Sequence, residues 1–205
     1  MSKLRYFFQE SWLLMVSSVV FGGLLAATNS AWEPRIRQNE IDKFNALAGA
    51  MLPQAVRFEA IAEKVSVDLG KGKTAQVEVK RGLTEQSQTA GWAFVCQGSG
   101  FADRIKLVVA TDAGFAKLAG FGVLSSNETP GFGDKITIKD GFFQSQFKGA
   151  PADLLTLVRT GDRTKIDSEI VAISGATVTS QAVVDILNRF ISQVKQGLEE
   201  KGVLQ

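Results

Sequence analysis

The stretch of this chain best equipped for chemistry is Ser174-Gly175-Ala176-Thr177-Val178-Thr179-Ser180. Gly175 and Ala176 carry so little side chain that a ligand can approach the backbone closely, and Thr177 places a hydroxyl beside them. The stretch runs straight into a periodic segment. Val183, Ile186, Leu187, Phe190, Ile191, Val194 and Leu198 recur mostly at spacings of three and four, which predicts one apolar stripe of a helix. Thr179 or Ser180 is the expected N-cap, since either side-chain oxygen can accept a first-turn N–H. Free N–H groups and the positive end of the helix dipole favour a phosphate there. On the residues alone two readings stand: a capped helix start after a tight turn, or a phosphate site.

What the chain lacks narrows the chemistry further. It has no His and a single Cys, so neither Cys/His zinc ligation nor histidine-centred acid–base catalysis can be built. No CxxCH haem attachment and no four-cysteine iron–sulfur set exists. Redox work would therefore have to come from an organic cofactor. Cys96 follows Val95 in an apolar strand pattern and is expected as a buried core thiol. A net charge of +2 with no basic run or interleaved aromatic stripe gives no sign of a nucleic-acid partner.

The elements that must position Thr177 follow from patterning. With 205 residues there is room for one domain plus an appendage. A short N-terminal tail, residues 1–10, carries Lys3 and Arg5. Residues 11–32 hold no charge, and these 22 residues would make about 33 Å of helix, enough to cross a bilayer. Trp12 and Trp32 bracket that run as interfacial aromatics do. A cleaved signal peptide is the alternative, but no convincing small-x-small cleavage site follows. Residues 33–65 are expected as a helical connector. A stripe of Ile36, Ile41, Phe44, Leu47 and Met51 ends before Pro53, and a second helical piece is expected around residues 55–65.

From residue 66 onward short β-type runs separated by Gly and polar clusters take over. The expected strands are 66–69, 74–80, 91–97, 104–111 and 118–125. Residues 81–90 are expected as the polar connection, with Gly82 as its turn residue. Closely spaced strands without long intervening helices predict an α+β domain, 66–205, with an antiparallel sheet and flanking helices. Phe142, Phe143 and Phe147 are expected in its core.

Three motifs, in order along the chain, carry a resemblance. Gly91-Trp92-Ala93-Phe94 followed by Gly98-Ser99-Gly100-Phe101 is similar to a paired glycine strand. Glu128-Thr129-Pro130-Gly131-Phe132-Gly133-Asp134-Lys135-Ile136 resembles a Glu-Thr-Pro-Gly-Leu-Gly-x-Lys-Ile loop. Ser174-Gly175-Ala176-Thr177-x-Thr179-Ser180 resembles a flavinylation motif. All three belong to the FMN-binding domain family, and the resemblance spans roughly residues 91–190. That family includes the G subunit of Rnf-type electron transport complexes and the C subunit of sodium-pumping NADH:quinone reductases. The shorter length here is closer to the former. Val171 stands where the family tends to carry Asp, and Asn127 where it often carries His.

The resemblance implies a membrane-anchored electron-transfer flavoprotein, part of a complex coupling ferredoxin/NAD redox chemistry to sodium or proton movement. It implies one FMN held covalently through a phosphoester at Thr177 and installed by a flavin transferase. It further implies Ser174, Gly175, Ala176, Val178 and Thr179 around the phosphate. Glu128, Thr129, Gly131, Phe132 and Lys135 would line the isoalloxazine, Phe132 against the ring and Lys135 beside the reduced flavin. No residue would act as an acid–base catalyst. The expected partners are the other membrane and redox subunits and the lipid bilayer. The expected location is the cytoplasmic membrane, with one span and the soluble domain on the extracytoplasmic side. The other readings are the C subunit of the reductase, a stand-alone anchored flavin reductase, and a non-redox pilin-like module.

Overall fold

The computed structural model describes residues 2–70 and 72–204, with side chains from residue 10 onward. The chain divides into two units, residues 1–42 and 43–205. The first is helical: α1 (Ser2–Met51) supplies it, and the end of the same helix, from Lys43, belongs to the second unit. Met1 and the Lys3 and Arg5 side chains, part of the expected tail, lie outside the described residues. From Glu10 on, α1 is long and apolar enough to cross a membrane, and none of its most apolar stretch is buried. Large apolar side chains such as Leu14, Val19, Phe21 and Leu25 stand exposed along it, as lipid-facing residues would.

The second unit is α+β. Five strands form its main sheet: β1 (Arg57–Ala60), β4 (Val79–Leu83), β5 (Thr89–Ser99), β6 (Arg104–Asp112) and β7 (Leu118–Ser125), in the order β1-β4-β5-β6-β7, all antiparallel. A hairpin of β2 (Val65–Gly70) and β3 (Lys73–Val77) makes a separate two-stranded sheet. A short parallel pair, β8 (Thr156–Val158) and β9 (Glu169–Val171), leads to the last helix. The remaining helices are α2 (Phe142–Ser145) and α3 (Thr177–Glu200).

Both faces of the sheet are covered, and the strand sequences show it. Along β6, Leu107 and Val109 enter one core while Val108 and Ala110 enter the other. A strand buried on both faces reads as an unbroken apolar run rather than an alternation. The larger core takes the α3 stripe, with Val183, Leu187, Phe190, Ile191, Val194 and Leu198 all within it. It also holds the edge-to-face set Phe121, Phe143 and Phe147. The smaller core packs Phe44, Ala48 and Leu52 against Ala93, Val108, Ala110 and Leu124. Cys96 is fully buried and free, as its strand context predicts, and burial pushes its thiol pKa up.

Several local expectations fail. Phe142, expected in the core, is 37% exposed. The expected strand 74–80 is broken at Glu78 into β3 and β4, which belong to different sheets. The connector is helical only as far as Met51, where α1 ends, and the piece around residues 55–65 is not. Arg57–Ala60 is an edge strand paired with residues 80–83, and β2 begins at Val65. Cross-strand pairing with β4 outweighs the weak helical pattern of so short a segment. Gly82 is not a turn residue either. It sits inside β4, and the turn falls at residues 84–88. There Thr84 N–H donates to the Gln88 carbonyl, Ser87 N–H donates to the Thr84 carbonyl, and Ser87 adopts φ 61°.

Candidate functional site

Thr177 is the first residue of α3, and the residue ahead of it, Ala176, occupies the N-cap position without any side-chain cap. The expected cap at Thr179 or Ser180 is therefore corrected. Both of those side chains are buried, and both hydroxyls are used elsewhere. Ser180 Oγ donates to the Ala176 carbonyl at 2.9 Å and accepts from Ile173 N–H at 3.0 Å. Thr179 Oγ1 donates to Glu128 Oε2 at 2.6 Å. Core-facing hydroxyls must find partners where they lie, which leaves the first-turn N–H groups of α3 uncapped.

Gly175 turns the chain into the helix with φ 81°, a left-handed conformation that costs glycine little. A Cβ there would stand 3.2 Å from the Phe132 ring, so the turn and the loop after Glu128 meet at this point. Ser174 and Val178 face solvent, and Thr177 is half-buried. Among the described residues the Thr177 hydroxyl has no hydrogen-bond partner.

Two cavities flank Thr177 and Val178. One, of about 390 Å³, is lined by Phe101, Thr129, Phe132, Gly133 and Gly175 with the first turn of α3. The other, of about 540 Å³, lies between residues 97–100 and the Gln181, Asp185 and Arg189 side of α3. Both are of the size in which small ligands and cofactors bind. In the first, Phe101 and Phe132 stand 66% and 54% exposed, unusual for phenylalanine and right for a planar partner.

The loop after Glu128 divides its residues between two duties. Thr129, Phe132 and Gly133 face the cavity. Glu128, Gly131 and Lys135 do not line it. Glu128 is 5% exposed and works inward: besides accepting from Thr179, it accepts from Ala102 N–H at 3.1 Å through Oε1. A Cβ at Gly100 would stand 2.2 Å from Oε1, and one at Gly133 2.8 Å from Oε2, so both glycines make room for this carboxylate. It ties the turn at residues 100–103, its own loop and α3 together. Gly131 has φ 78° and nothing within 4 Å of where a Cβ would stand, so its role is the turn rather than ligand access. Lys135 is exposed, with Nζ 6.0 Å from the Phe132 ring centre.

Two members escape sequence reasoning. In the sequence Phe101 stands only as part of a glycine-strand pattern, and nothing in its own context signals a cavity wall. Asn127 donates from Nδ2 to Asp103 Oδ2 at 2.9 Å, a second tie between the same turn and loop. That hydrogen bond, ahead of one from Arg104 N–H, holds the Asp103 carboxyl below its ordinary pKa.

Residues 100–192, from the glycine beside Glu128 to the middle of α3, match the FMN-binding domain family. The G subunit of the Na(+)-translocating ferredoxin:NAD(+) oxidoreductase complex of Acetobacterium woodii is 30% identical over 198 residues, covering 94% of this chain and 93% of that one. The chain belongs to this family of G subunits. Its relatives there include the G subunit of the ion-translocating oxidoreductase complex of Methanosarcina acetivorans, 29% identical over 181 residues, 88% of this chain and 90% of that one. Among solved structures, Shewanella oneidensis NqrC matches with a TM-score of 0.54 at 24% identity, over 70% of this chain and 73% of that one. The C subunit of the Na(+)-translocating NADH-quinone reductase from Parabacteroides distasonis matches at 0.51 and 18%, over 78% and 95%. The α+β fold is thus shared with the C subunits. A G subunit is a component of an ion-translocating oxidoreductase, and membership leaves the pilin-like reading without support.

Proposed function

We propose that this G subunit relays electrons through one FMN covalently held at Thr177, in an Rnf-type complex that couples ferredoxin and NAD redox chemistry to sodium or proton movement. The observation that carries the reading is the free Thr177 hydroxyl at an uncapped helix N-terminus, beside an aromatic-walled cavity. The residues present fit the group. The Thr177 hydroxyl would supply the ester oxygen: a flavin transferase would move the FMN phosphoryl group onto Oγ1 from a flavin dinucleotide donor, breaking the donor's phosphoanhydride bond and releasing the nucleoside monophosphate together with the Thr177 proton. The uncapped N–H groups at Thr177, Val178 and Thr179 and the helix dipole hold the remaining phosphate charge. Ser174, exposed beside them, adds a hydroxyl, and the missing Cβ of Gly175 leaves the approach open. Bound FMN supplies one- and two-electron redox chemistry. The protein's part is to seat the ring against Phe132 and Phe101, with Lys135 placing a positive charge near the cavity mouth.

No acid–base catalyst is needed for such a relay. Glu128 is turned away from the cavity and serves position, not proton transfer. A covalent tether suits a domain on the extracytoplasmic side of the membrane, where a dissociated flavin would be lost by dilution. The one candidate span among the described residues, near the N-terminus, supports anchoring.

The test is the intact mass of the chain matured with its flavin transferase. Wild-type should carry one FMN, and Thr177→Ala should carry none while keeping the same fold. Covalent flavin persisting in Thr177→Ala would overturn the assignment. For the orientation, protease added to spheroplasts should digest residues 43–205 from outside. Protection until the cytoplasm is opened would place that domain on the other side.

A further inference from the structure

We propose that Gln146 is a positioning residue for flavin attachment: its buried side-chain amide completes the edge of β9 and thereby fixes where Thr177 presents its hydroxyl. The inference rests on the reading that Thr177 accepts the flavin.

β9 has one partner strand, since β8 and β9 form a two-stranded sheet. Alternate residues of a strand direct their N–H and C=O groups to opposite sides. Ser168 and Ala172 turn theirs toward β8, where the Ser168 carbonyl accepts from Thr156 N–H and Ala172 N–H donates to the Val158 carbonyl, both at 2.8 Å. Val171 therefore turns its own pair the other way, and at 2% exposure that pair needs a protein partner. Gln146 meets both groups. Val171 N–H donates to Gln146 Oε1 at 2.8 Å, and Gln146 Nε2 donates to the Val171 carbonyl at 3.2 Å. A primary amide presents an acceptor and a donor side by side, as a neighbouring strand would, and this one is buried with its residue 1% exposed. Both bonds go to backbone atoms, so a Val at position 171, where the family tends to carry Asp, leaves them intact.

The clip bears on Thr177 through the residues between them. Ile173 N–H donates to Ser180 Oγ, and the Ile173 carbonyl accepts from Ala176 N–H at 2.9 Å. The run from Val171 to Ala176 is thus held by Gln146 at one end and by the first turn of α3 at the other. Gln146 is anchored in turn by its neighbours, because Phe143 and Phe147 are buried and pack edge-to-face with ring centres 5.3 Å apart. From the same segment Gln144 Nε2 donates to the Ile136 carbonyl at 2.8 Å, at the far end of the loop that Glu128 holds at its start. One anchored segment reaches both the strand that leads to Thr177 and the loop that bears Phe132.

The test uses the full chain in detergent with its flavin transferase and a flavin dinucleotide. Gln146→Leu keeps the bulk and removes both bonds. In the flavin-free variant the Val171 and Ile173 amides should exchange hydrogen at least about tenfold faster, while the body of α3 keeps its protection. The maximal rate of covalent attachment, followed by intact mass, should fall at least about tenfold, because a misplaced acceptor oxygen is costly to group transfer. Asn188→Leu is the control. Asn188 makes the same pair of bonds to Leu155, both at 2.8 Å, beside the strand that does not lead to Thr177. Compared at equal folded fraction, it should lower attachment far less. Equal attachment rates in Gln146→Leu and wild-type would overturn the proposal. So would an equal loss in Asn188→Leu, which would mark the effect as general loosening. Where Gln146→Leu fails to fold, Gln146→Glu decides: a neutral carboxyl can accept from Val171 N–H and donate to its carbonyl, whereas a carboxylate cannot donate. Its attachment rate relative to wild-type should rise as pH falls, and a flat ratio would overturn the proposal. Absence of flavin from Thr177 in the wild-type chain is a different result, and it would overturn the attachment itself and this role with it.

Discussion

At the start of α3, Ser180 keeps its hydroxyl within its own segment, between the Ala176 carbonyl and Ile173 N–H. In the loop across the cavity, Glu128 sends its carboxylate to other segments, to Ala102 and to Thr179. The helix start is thus held by its own turn and by the buried stripe behind it. The loop has only a short 3-10 turn at Gly133–Thr137, with Ile136 in the core, and relies chiefly on one side chain for its attachment to the rest. Of two segments that meet at one cavity, one is placed by regular structure and the other by a buried carboxylate.

The largest effect should fall on both segments alike. Phe143 packs edge-to-face with Phe121 and Phe147 and is 1% exposed. Phe143→Ala should lower unfolding stability by roughly 3–5 kcal/mol, read from denaturant titration of the full chain in detergent. Exchange protection should drop together at α3 and at the loop. A loss confined to one of them would show that the core does not couple the two.

Glu128→Ala should separate them. It leaves the buried Thr179 hydroxyl without its acceptor and releases the N–H of exposed Ala102, at a cost of about 1–3 kcal/mol. Residues 129–135 should lose exchange protection while the body of α3 keeps it. If α3 opens to the same extent, the carboxylate is holding the helix rather than the loop. Ser180→Ala is the reciprocal change. It orphans Ile173 N–H, costs about 1–3 kcal/mol, and should loosen residues 173–178 ahead of the loop.

The same contrast separates what can be read from the residues from what cannot. The α3 stripe is legible because helical periodicity is written in the residues themselves, and β6 and β7 because their apolar runs are long. Thr177, Thr129 and Phe132 are legible as motif members, and the structure sets all three at one cavity. The direction of Glu128 is not, because a motif names residue types without saying which way they face. The N-cap escapes for a related reason: hydroxyls at Thr179 and Ser180 are equally suited to capping and to buried ties, and burial decides. β1 is hidden because Arg57-Phe58-Glu59-Ala60 is too short a run for its polar–apolar alternation to stand out, and it becomes a strand only against β4.

Gly131→Val tests the loop's outer half with a smaller effect. Nothing lies within 4 Å of a Cβ at this position, so the side chain meets no wall, but φ is 78°. A β-branched residue in that conformation costs roughly 1–2 kcal/mol. The loop should shift locally and alter the flavin spectrum through Phe132, leaving attachment at Thr177 unchanged. An unaltered spectrum in a folded protein would mean that the loop and the ring do not touch.

The smallest effect should come from Asn127→Ala, which removes the second tie between the loop and the turn at residues 100–103. Asp103 is held below its ordinary pKa chiefly by the Asn127 amide. A carboxyl with a depressed folded pKa contributes stability above its unfolded pKa and loses it as pH falls through the folded one. Wild-type should therefore lose this tie only in acid, below the ordinary Asp range of about 4. In Asn127→Ala the Asp103 midpoint, followed by carboxyl carbon NMR, should rise toward that range, and the neutral-pH advantage should disappear. Asp103 is exposed at the rim, so solvent screens the interaction and Glu128 should still hold the loop in place. A collapse of loop protection in Asn127→Ala would reverse that ranking and make the rim amide, not the buried carboxylate, the main attachment.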